Sequence, residues 1–217
     1  MHKMNTWILQ QLKENLIFLL AIFILFASRS TLADWYLVPT GSMQPTIVEG
    51  DRILVNKMAY RIELPFTDIG VMDIATPQRG DIVVFNSKAA DTRLVKRVIG
   101  LPGDSIAMVN NQLVINGQVI NYQSDDDDTS VIELLFDKPH AVQFIAKSNV
   151  MDNFKSVLVP TDHYLVLGDN RNNSSDSRFI GFVPFAEIQG KALRVLVSLD
   201  PQNYYVPRPA RTLSPLI

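Results

Sequence analysis

The chain has 217 residues, of which 47% are hydrophobic and 19% are charged, a composition typical of one globular domain with room for an insertion. Its formal net charge of −2 gives no reason to expect nucleic acid as a partner. The absence of cysteine excludes disulfides, cysteine zinc sites and a thiol nucleophile. The chain also lacks a His-Glu-x-x-His motif, which excludes that class of zinc protease, and no motif indicates a metal or another cofactor.

An unbroken apolar run, LIFLLAIFILFA, occupies residues 16–27 and lies between Lys13 and Arg29. A cleaved signal peptide fits the basic start, the short apolar stretch and the small residues that follow. A membrane anchor is the alternative, although twelve helical residues rise only about 18 Å against about 30 Å of hydrocarbon. The anchor would have to include flanking residues, so the length of the run alone favours the signal peptide.

After Ala33 the pattern changes to short β-rich runs that are separated by Gly, Pro, Asn and Asp. The Asn-Gly pair at 116–117, between two apolar runs, predicts a hairpin turn. This part of the chain is therefore predicted to be mainly β. The clearest runs are RILVNKMAY (52–60), DIVVF (81–85), RLVKRVIG (93–100), QLVING (112–117) and YLVLGD (164–169).

Four consecutive aspartates occupy residues 125–128. Close like charges repel one another, so the run is predicted to be a solvated loop tip. A calcium site is the alternative, but the run lacks the spaced ligands and the turn glycine of a calcium loop. No role in function is assigned to it.

Ser42 lies in the stretch VPTGSMQPTI, with Pro39 and Pro45 on either side. Each proline fixes its own φ and restricts the residue before it, so the backbone around the serine is expected to be stiff. Gly41 allows another chain to approach the Ser42 N–H closely. A turn serine and a nucleophile both fit this stretch, and a nucleophile would need a base nearby.

Histidine is the usual base, and the chain has only His2, His140 and His163. A Ser-His-Asp triad is possible only with His140 or His163, and no Gly-x-Ser-x-Gly motif accompanies them. Both lie in turn-like contexts, DKPH and PTDHY. Surface or structural roles are therefore predicted for the two histidines.

Lys96 is the other candidate base. In RLVKRVIG, strand alternation places it between Leu94 and Val98 on one face, as the single charge between two apolar neighbours. Burial there would lower its pKa, and a fall from about 10.4 to near 7 corresponds to about 4–5 kcal/mol of differential solvation. A neutral amine can accept a serine proton. A lysine on a solvent-facing strand edge stays open as the alternative.

A third cluster is the stretch GDNRNNSSDSR at residues 168–178. It contains two arginines, two aspartates and three serines within eleven residues. A turn with solvated charges and a polar surrounding for a buried amine both fit this composition.

Five stretches, taken in order, resemble bacterial type I signal peptidase, the membrane-bound leader peptidase. Any one of them would be weak, but the five in this order are specific, and the resemblance extends from about Arg29 to about Asp200. The family cleaves signal peptides from exported preproteins with a serine and a lysine. The stretches are GSMQPT, GDRILVNK, RGDIVVF, RLVKRVIGLPGD and GDNRNNSSDSR.

The resemblance implies a role for three residues in the reaction. Ser42 corresponds to the nucleophile of the family and Lys96 to its general base. Thr40 occupies the place of the hydroxyl that completes the oxyanion hole with the Ser42 N–H. That place is often serine in the family, so the threonine is a departure that needs a test.

The resemblance also implies residues around the reacting pair. Ser174 corresponds to the serine that hydrogen-bonds and orients the lysine, and Asp176 and Arg178 correspond to an ion pair beside it. Four positions correspond to the lining of pockets for small substrate side chains, namely Val38, Met43, Ile47 and Val95.

From the family fold we expect an N-terminal transmembrane helix followed by a β-rich catalytic core with a smaller β insertion. The expected divisions are a cytoplasmic N-terminus and single anchor at 1–33, a core formed by 34–104 and 161–200, an inserted β subdomain at 105–160, and an extended tail at 201–217. The apolar run is then a retained anchor.

The same resemblance implies a location and partners. The chain would cross the bacterial inner membrane once, with its N-terminus in the cytoplasm and its catalytic domain on the outer, periplasmic side. Its partners would be the signal peptides of exported preproteins and membrane lipid, with no nucleic acid, no metal and no cofactor, and the enzyme would be a monomer.

Two other functions compete with this one. A self-cleaving repressor-type protease also uses serine and lysine on a related fold, but it would need a DNA-binding domain where this chain has its apolar run. An anchored, non-catalytic β domain that binds peptides would need neither Ser42 nor Lys96. Mutation of either residue therefore discriminates between an enzyme and a binding module.

Overall fold

The structure is a computed structural model, and it describes residue 11 and the ranges 13–64, 66–67, 69–125, 129–144 and 153–216, without the side chains of 27–31. Residues 1–10, which belong to the predicted cytoplasmic N-terminus and anchor at 1–33, and the last three aspartates of the run, 126–128, lie outside these ranges. Within them, no helix is both long enough and apolar enough to cross a membrane. The predicted transmembrane helix therefore stays a prediction.

Most of the regular secondary structure in the described ranges is β-strand, which confirms the predicted mainly β fold. Helix α1 (Leu16–Thr31) covers the apolar run, and the second helix, α2 (Ser177–Ile180), is a single turn. The strands are β1 (Ala33–Leu37), β2 (Asp51–Asn56), β3 (Arg61–Glu63), β4 (Gly70–Asp73), β5 (Ile82–Ser87), β6 (Thr92–Gly100), β7 (Ser105–Val109), β8 (Gln112–Ile115), β9 (Gln118–Val119), β10 (Tyr122–Ser124), β11 (Ser130–Leu135), β12 (Lys138–Gln143), β13 (Phe154–Leu158), β14 (His163–Leu167), β15 (Val183–Pro184), β16 (Ile188–Asp200) and β17 (Val206–Pro207).

The largest sheet has eight strands in the order β1-β2-β16-β5-β6-β14-β15, with β17 paired to β16. Its pairs are antiparallel, and the 13-residue β16 lies near its centre. The β5–β6 pair places Lys96 opposite Val83, in the interior of the sheet. Two apolar clusters pack on this sheet, one around Ile53 and Val84 and the other around Phe85 and Val166.

Residues 105–158 contribute two smaller sheets, with the orders β13-β7-β8-β9 and β10-β11-β12. The predicted hairpin is present: Asn116 and Gly117 have φ of 52° and 81° and connect β8 to β9. A third apolar cluster joins Ile106 and Leu113 of this region to Leu165 of β14. The smaller sheets therefore pack on the strand that leads into the 168–178 stretch.

A buried ion pair also connects the two parts. Arg171, which follows β14, donates from its two terminal nitrogens to the Glu133 carboxylate of β11 over 2.5 and 2.7 Å. Both side chains are fully buried, and Tyr122 donates to the same carboxylate over 2.6 Å. Burial by itself would raise the pKa of Glu133, but Arg171 and His140 outweigh it and hold that pKa well below its usual range.

We predict that Glu133→Gln lowers the free energy of unfolding by about 3–5 kcal/mol, because it leaves the Arg171 charge buried without its partner. Urea unfolding at neutral pH measures the change. Since the pKa of Glu133 is lower in the folded state, its contribution is present above the unfolded-state pKa of about 4.3 and is lost as the pH falls below it. The difference between variant and wild type should therefore shrink in acid.

A matched control is the half-exposed pair of Asp200 and Arg208. Asp200→Asn should cost roughly 1 kcal/mol or less, because solvent screens that pair. Equal effects of the two substitutions at neutral pH would contradict a special role for the buried pair.

Candidate active site

The segment that carries Ser42 connects β1 to β2 and is closed at its base by backbone hydrogen bonds. The Val38 N–H donates to the Asp51 carbonyl over 2.8 Å, and the Gly50 N–H donates to the Val38 carbonyl over 3.0 Å. Inside the loop, the Ile47 N–H donates to the Met43 carbonyl over 2.9 Å. Ser42 is thus held on a short, tightly closed loop beside the main sheet.

Ser42 and Lys96 are in direct contact. The Lys96 Nζ reaches from β6 to within 2.6 Å of the Ser42 Oγ, which is hydrogen-bond distance. The lysine is only 2% exposed, and this burial lowers its pKa to about 8. The nearby carboxylates Asp176 and Asp169 oppose the effect, and Arg178 adds to it. Of the two placements considered for Lys96, the structure therefore shows the buried one.

Two ion pairs surround the amine. Arg97 binds Asp169 through two nitrogens at 2.9 and 2.8 Å, and Arg178 binds Asp176 through two nitrogens at 2.8 Å. Among the described residues, no carboxylate is in ion-pair contact with Lys96 itself. Because the arginines bond to both carboxylates, neither carboxylate pairs directly with Lys96, and burial remains the largest influence on the pKa of its amine.

Ser174 is buried close to the reacting pair but is not bonded to it. Its Oγ has no hydrogen-bond partner among the described residues, so the lysine-orienting bond that the resemblance implied is not present in this structure. The hydroxyl lies against Gly168 instead: a Cβ added to that glycine would clash with both Ser174 Oγ and the Ser42 carbonyl. Gly168 therefore lets the two serine-bearing segments pack closely.

The four expected pocket residues share one apolar cluster. Three of them are almost completely buried, and Val95 packs against the cluster from β6. Thr40, by contrast, is exposed, and none of the described residues is recorded as hydrogen-bonded to its hydroxyl. The cluster lines the side of the loop next to the sheet, whereas Thr40 lies on the exposed side. The buried three are Val38, Met43 and Ile47.

The two candidate histidines, His140 and His163, lie away from Ser42. His140 is buried in β12, with its Nε2 3.3 Å from Glu133 Oε1, and His163 has its Nδ1 2.8 Å from the Thr161 carbonyl. In the described part of the chain neither contacts the serine. His140 belongs to the buried charge cluster around Glu133, which is a structural role, and it does not lie at the surface.

Three further residues hold the nucleophile loop, which is the segment 38–50 that carries Ser42, and no role was predicted for any of the three. Thr46 donates from its Oγ1 to Asp169 over 2.5 Å, and Asn170 donates to the Gly41 and Ser42 carbonyls. Arg211, from the tail, donates to the Thr46 carbonyl over 2.9 Å and to Asp51 over 2.8 Å. Asn170 lies inside a recognised stretch, whereas no pattern in the sequence pointed to Arg211.

The described ranges contain no group of three or more metal-ligating side chains. A mainly apolar cavity of about 200 Å³ lies beside α2, between Phe154 and Phe182. Its lining includes neither Ser42 nor Lys96. The chemistry available at the site is therefore that of a serine hydroxyl in contact with an amine of lowered pKa, which is the arrangement that nucleophilic catalysis needs.

Several known proteins are similar to this chain in sequence. The model of the family "Signal peptidase, peptidase S26" matches residues 9–197. A signal peptidase I from Pseudomonas aeruginosa is 34% identical over 210 residues, which covers 88% of this chain and 74% of that protein. A probable signal peptidase I-2 from Synechocystis is 32% identical, covering 87% of this chain and 72% of that protein.

Among solved structures, a signal peptidase I from Enterococcus faecalis is 31% identical to this chain. The match covers 54% of this chain and 97% of that one, with a TM-score of 0.36. The family model and the curated relatives extend over most of the chain and include Ser42, Lys96 and the 168–178 stretch. The chain therefore belongs to the signal peptidase family, peptidase S26, and is a serine endopeptidase of that family.

Proposed function

We propose that this chain is a membrane-anchored endopeptidase that removes N-terminal signal peptides from exported preproteins, with Ser42 as nucleophile and Lys96 as general base. The observation that carries the proposal is the 2.6 Å contact between the Ser42 hydroxyl and a buried amine whose pKa is lowered to about 8. Membership of the signal peptidase family supplies the class of substrate.

In the first step neutral Lys96 accepts the proton of the Ser42 hydroxyl, and the Oγ attacks the carbonyl carbon of the scissile peptide. The oxyanion that forms accepts hydrogen bonds from the Ser42 N–H and the Thr40 hydroxyl. The Lys96 ammonium then gives its proton to the leaving amine. The mature protein departs, and the signal peptide stays on Ser42 as an acyl ester.

In the second step a water molecule replaces the leaving amine. Lys96, neutral again, accepts a proton from the water, and the hydroxide attacks the ester carbonyl through a second oxyanion in the same hole. The Ser42 oxygen leaves and recovers its proton from Lys96. The nucleophile and the general base are both side chains of this chain, so the reaction needs no cofactor or metal.

The substrate would bind in an extended conformation and add as a strand beside the active-site strands. Alternate side chains of such a strand point to the same face, so the residues one and three before the cut would enter the apolar cluster beside Ser42. That cluster is already filled by its own side chains, including the nearly inaccessible Met43 and Ile47. Little room is left, which favours alanine-sized residues at both positions.

The apolar run 16–27 would serve as a retained membrane anchor. The apolar side chains of α1 from Leu16 to Phe26 are largely exposed, which is costly in water and favourable in lipid. The Phe23 ring lies 6.0 Å from that of Phe66, which is exposed at the tip of the β3–β4 hairpin, so the helix contacts the catalytic part. In this arrangement the N-terminus is cytoplasmic and Ser42 lies outside, near the membrane surface.

The domain division follows the same proposal. The catalytic core would comprise 34–104 and 161–200, which supply the large sheet, and the insertion 105–160 would comprise the two smaller sheets. The segment 201–217 would support the core, since β17 pairs with β16 and Arg211 bonds to the nucleophile loop. The enzyme would act as a monomer, because both members of the dyad come from one chain.

We predict that Ser42→Ala and Lys96→Ala each reduce cleavage of a preprotein to background, because one removes the nucleophile and the other its base. The double variant should be no worse than either single variant, since the two groups act as a unit. The measurement is the turnover of purified protein with a preprotein in detergent, followed by sequencing of the product. Near-normal turnover by folded Lys96→Ala would overturn the dyad and favour the non-catalytic alternative.

The pH dependence provides a second prediction. The pKa of Lys96 is lowered to about 8 by burial, so the fraction of neutral amine rises as the pH passes through 8. The kcat/KM should therefore rise from pH 6 to pH 9 with an apparent pKa near 8, in protein whose fold is checked at each pH. A rate that falls over this range would exclude a lysine base.

A third prediction concerns the anchor. If the apolar run is retained, the protein isolated from membranes begins before Leu16 and resists extraction by salt or alkali. N-terminal sequencing of that protein is the measurement. A mature N-terminus at Asp34 would show that the run is a cleaved signal peptide, whereas Ser42 and Lys96 could still form the dyad.

A further inference from the structure

Asn170 bonds to the backbone on both sides of the nucleophile. It follows β14, and the whole residue is 1% exposed. Its side-chain Nδ2 donates to the Gly41 carbonyl over 3.1 Å, and its backbone N–H donates to the Ser42 carbonyl over 3.2 Å. One residue thus holds the two carbonyl groups that flank the α-carbon of Ser42.

The side-chain bond acts on the group that faces the substrate. The Gly41 carbonyl and the Ser42 N–H belong to one planar trans peptide, in which they point in opposite directions. A donor bound to the carbonyl therefore orients the N–H, and it also polarises the peptide so that the N–H becomes a better donor. Among the described residues none accepts a hydrogen bond from this N–H, so it is available to a ligand.

The nitrogen and the oxygen of the Asn170 side-chain amide differ in their hydrogen bonding. Nδ2 is bonded to Gly41, whereas Oδ1 is buried without a partner anywhere in the described ranges. A buried unsatisfied oxygen costs about 1–3 kcal/mol, so an asparagine that only filled space here would be replaced by an apolar residue at a gain in stability. The hydrogen bond that Nδ2 donates to the Gly41 carbonyl is therefore the feature that distinguishes asparagine from an apolar residue at this position.

We propose, on the basis of the function proposed above, that Asn170 is a positioning residue that orients the Gly41–Ser42 peptide so that its N–H can bind the oxyanion. Asn170 acts through this peptide and does not touch the substrate. The Gln44 N–H also donates to the Gly41 carbonyl, over 3.1 Å, and keeps the turn closed when the side chain of Asn170 is removed. The side-chain bond from Asn170 additionally fixes the orientation of the Gly41–Ser42 peptide plane.

Asn170→Ala tests the proposal, because it removes the side-chain donor and keeps the backbone bond to the Ser42 carbonyl. Asn170→Leu is a second variant that keeps the volume without the donor. We expect kcat to fall by about 10-fold to 100-fold in both, somewhat less than for loss of an oxyanion donor, with KM nearly unchanged. Thr40→Val, which removes the proposed second donor, should also lower kcat, whereas Thr40→Ser should leave kcat nearly unchanged.

Two ligands separate orientation of the N–H from general damage. A peptide aldehyde forms a tetrahedral adduct with Ser42 and uses the oxyanion hole, whereas a peptide with proline after the cleavage position binds without being cut. Both Asn170 variants should lose affinity for the aldehyde by the same factor as kcat and bind the uncut peptide as wild type does. Asn173→Ala, an exposed asparagine in the same stretch, is the matched control and should behave as wild type.

Normal kcat in both Asn170 variants would overturn this proposal and leave the proposed function intact. Equal losses for the aldehyde and the uncut peptide, or loss of the fold in both variants, would assign Asn170 a purely structural role and overturn the proposal as well. Failure of the wild-type protein to cleave any preprotein would overturn the proposed function and, with it, this role of Asn170.

Discussion

The burial of one amine is the constraint on which the rest of the site depends. Lys96 is nearly inaccessible to water, and burial lowers its pKa to about 8. A carboxylate bonded directly to Nζ would restore the charged form, so the neighbouring carboxylates have to be occupied elsewhere. Arg97 and Arg178 do this by pairing with Asp169 and Asp176. By bonding to these carboxylates the arginines keep them from pairing directly with the lysine, so that burial dominates the pKa of its amine.

The ion pairs also hold the nucleophile loop in place. Asp169, fixed by Arg97, accepts the hydroxyl of Thr46, and the next residue, Asn170, bonds to the backbone of Ser42. Arg171 then attaches the same turn to Glu133 in the smaller sheets. Three consecutive residues thus connect the charge balance around the lysine, the position of the serine and the attachment of the insertion. Damage at any of the three should therefore spread to the other two functions.

The sequence predicted the parts of this arrangement that local pattern controls. Turn residues and strand alternation predicted the β fold and the Asn116–Gly117 hairpin. The two apolar neighbours of Lys96 indicated that burial could lower the pKa of its amine. The contact of Ser42 with Lys96 came from the family resemblance, because alternation says which face a side chain occupies but not what it meets there. The hydrogen bonds of Arg211 to the loop join positions far apart in the sequence, and the sequence pattern does not show whether Ser174 bonds to Lys96, which it does not do in this structure.

The hydrogen bonds that hold the nucleophile loop also determine when, during synthesis and folding, the loop becomes ordered. Asp169, Asn170 and Arg211 lie 123, 129 and 165 residues beyond their partners in the loop. During synthesis the loop therefore emerges long before anything that can hold it, and contacts of such long range form late in folding. In a nascent chain, the segment that contains Ser42 therefore lacks the residues that hydrogen-bond to it in the folded protein. Proteolytic activity should therefore begin only when the β core closes, so that an incompletely folded copy of the enzyme is inactive.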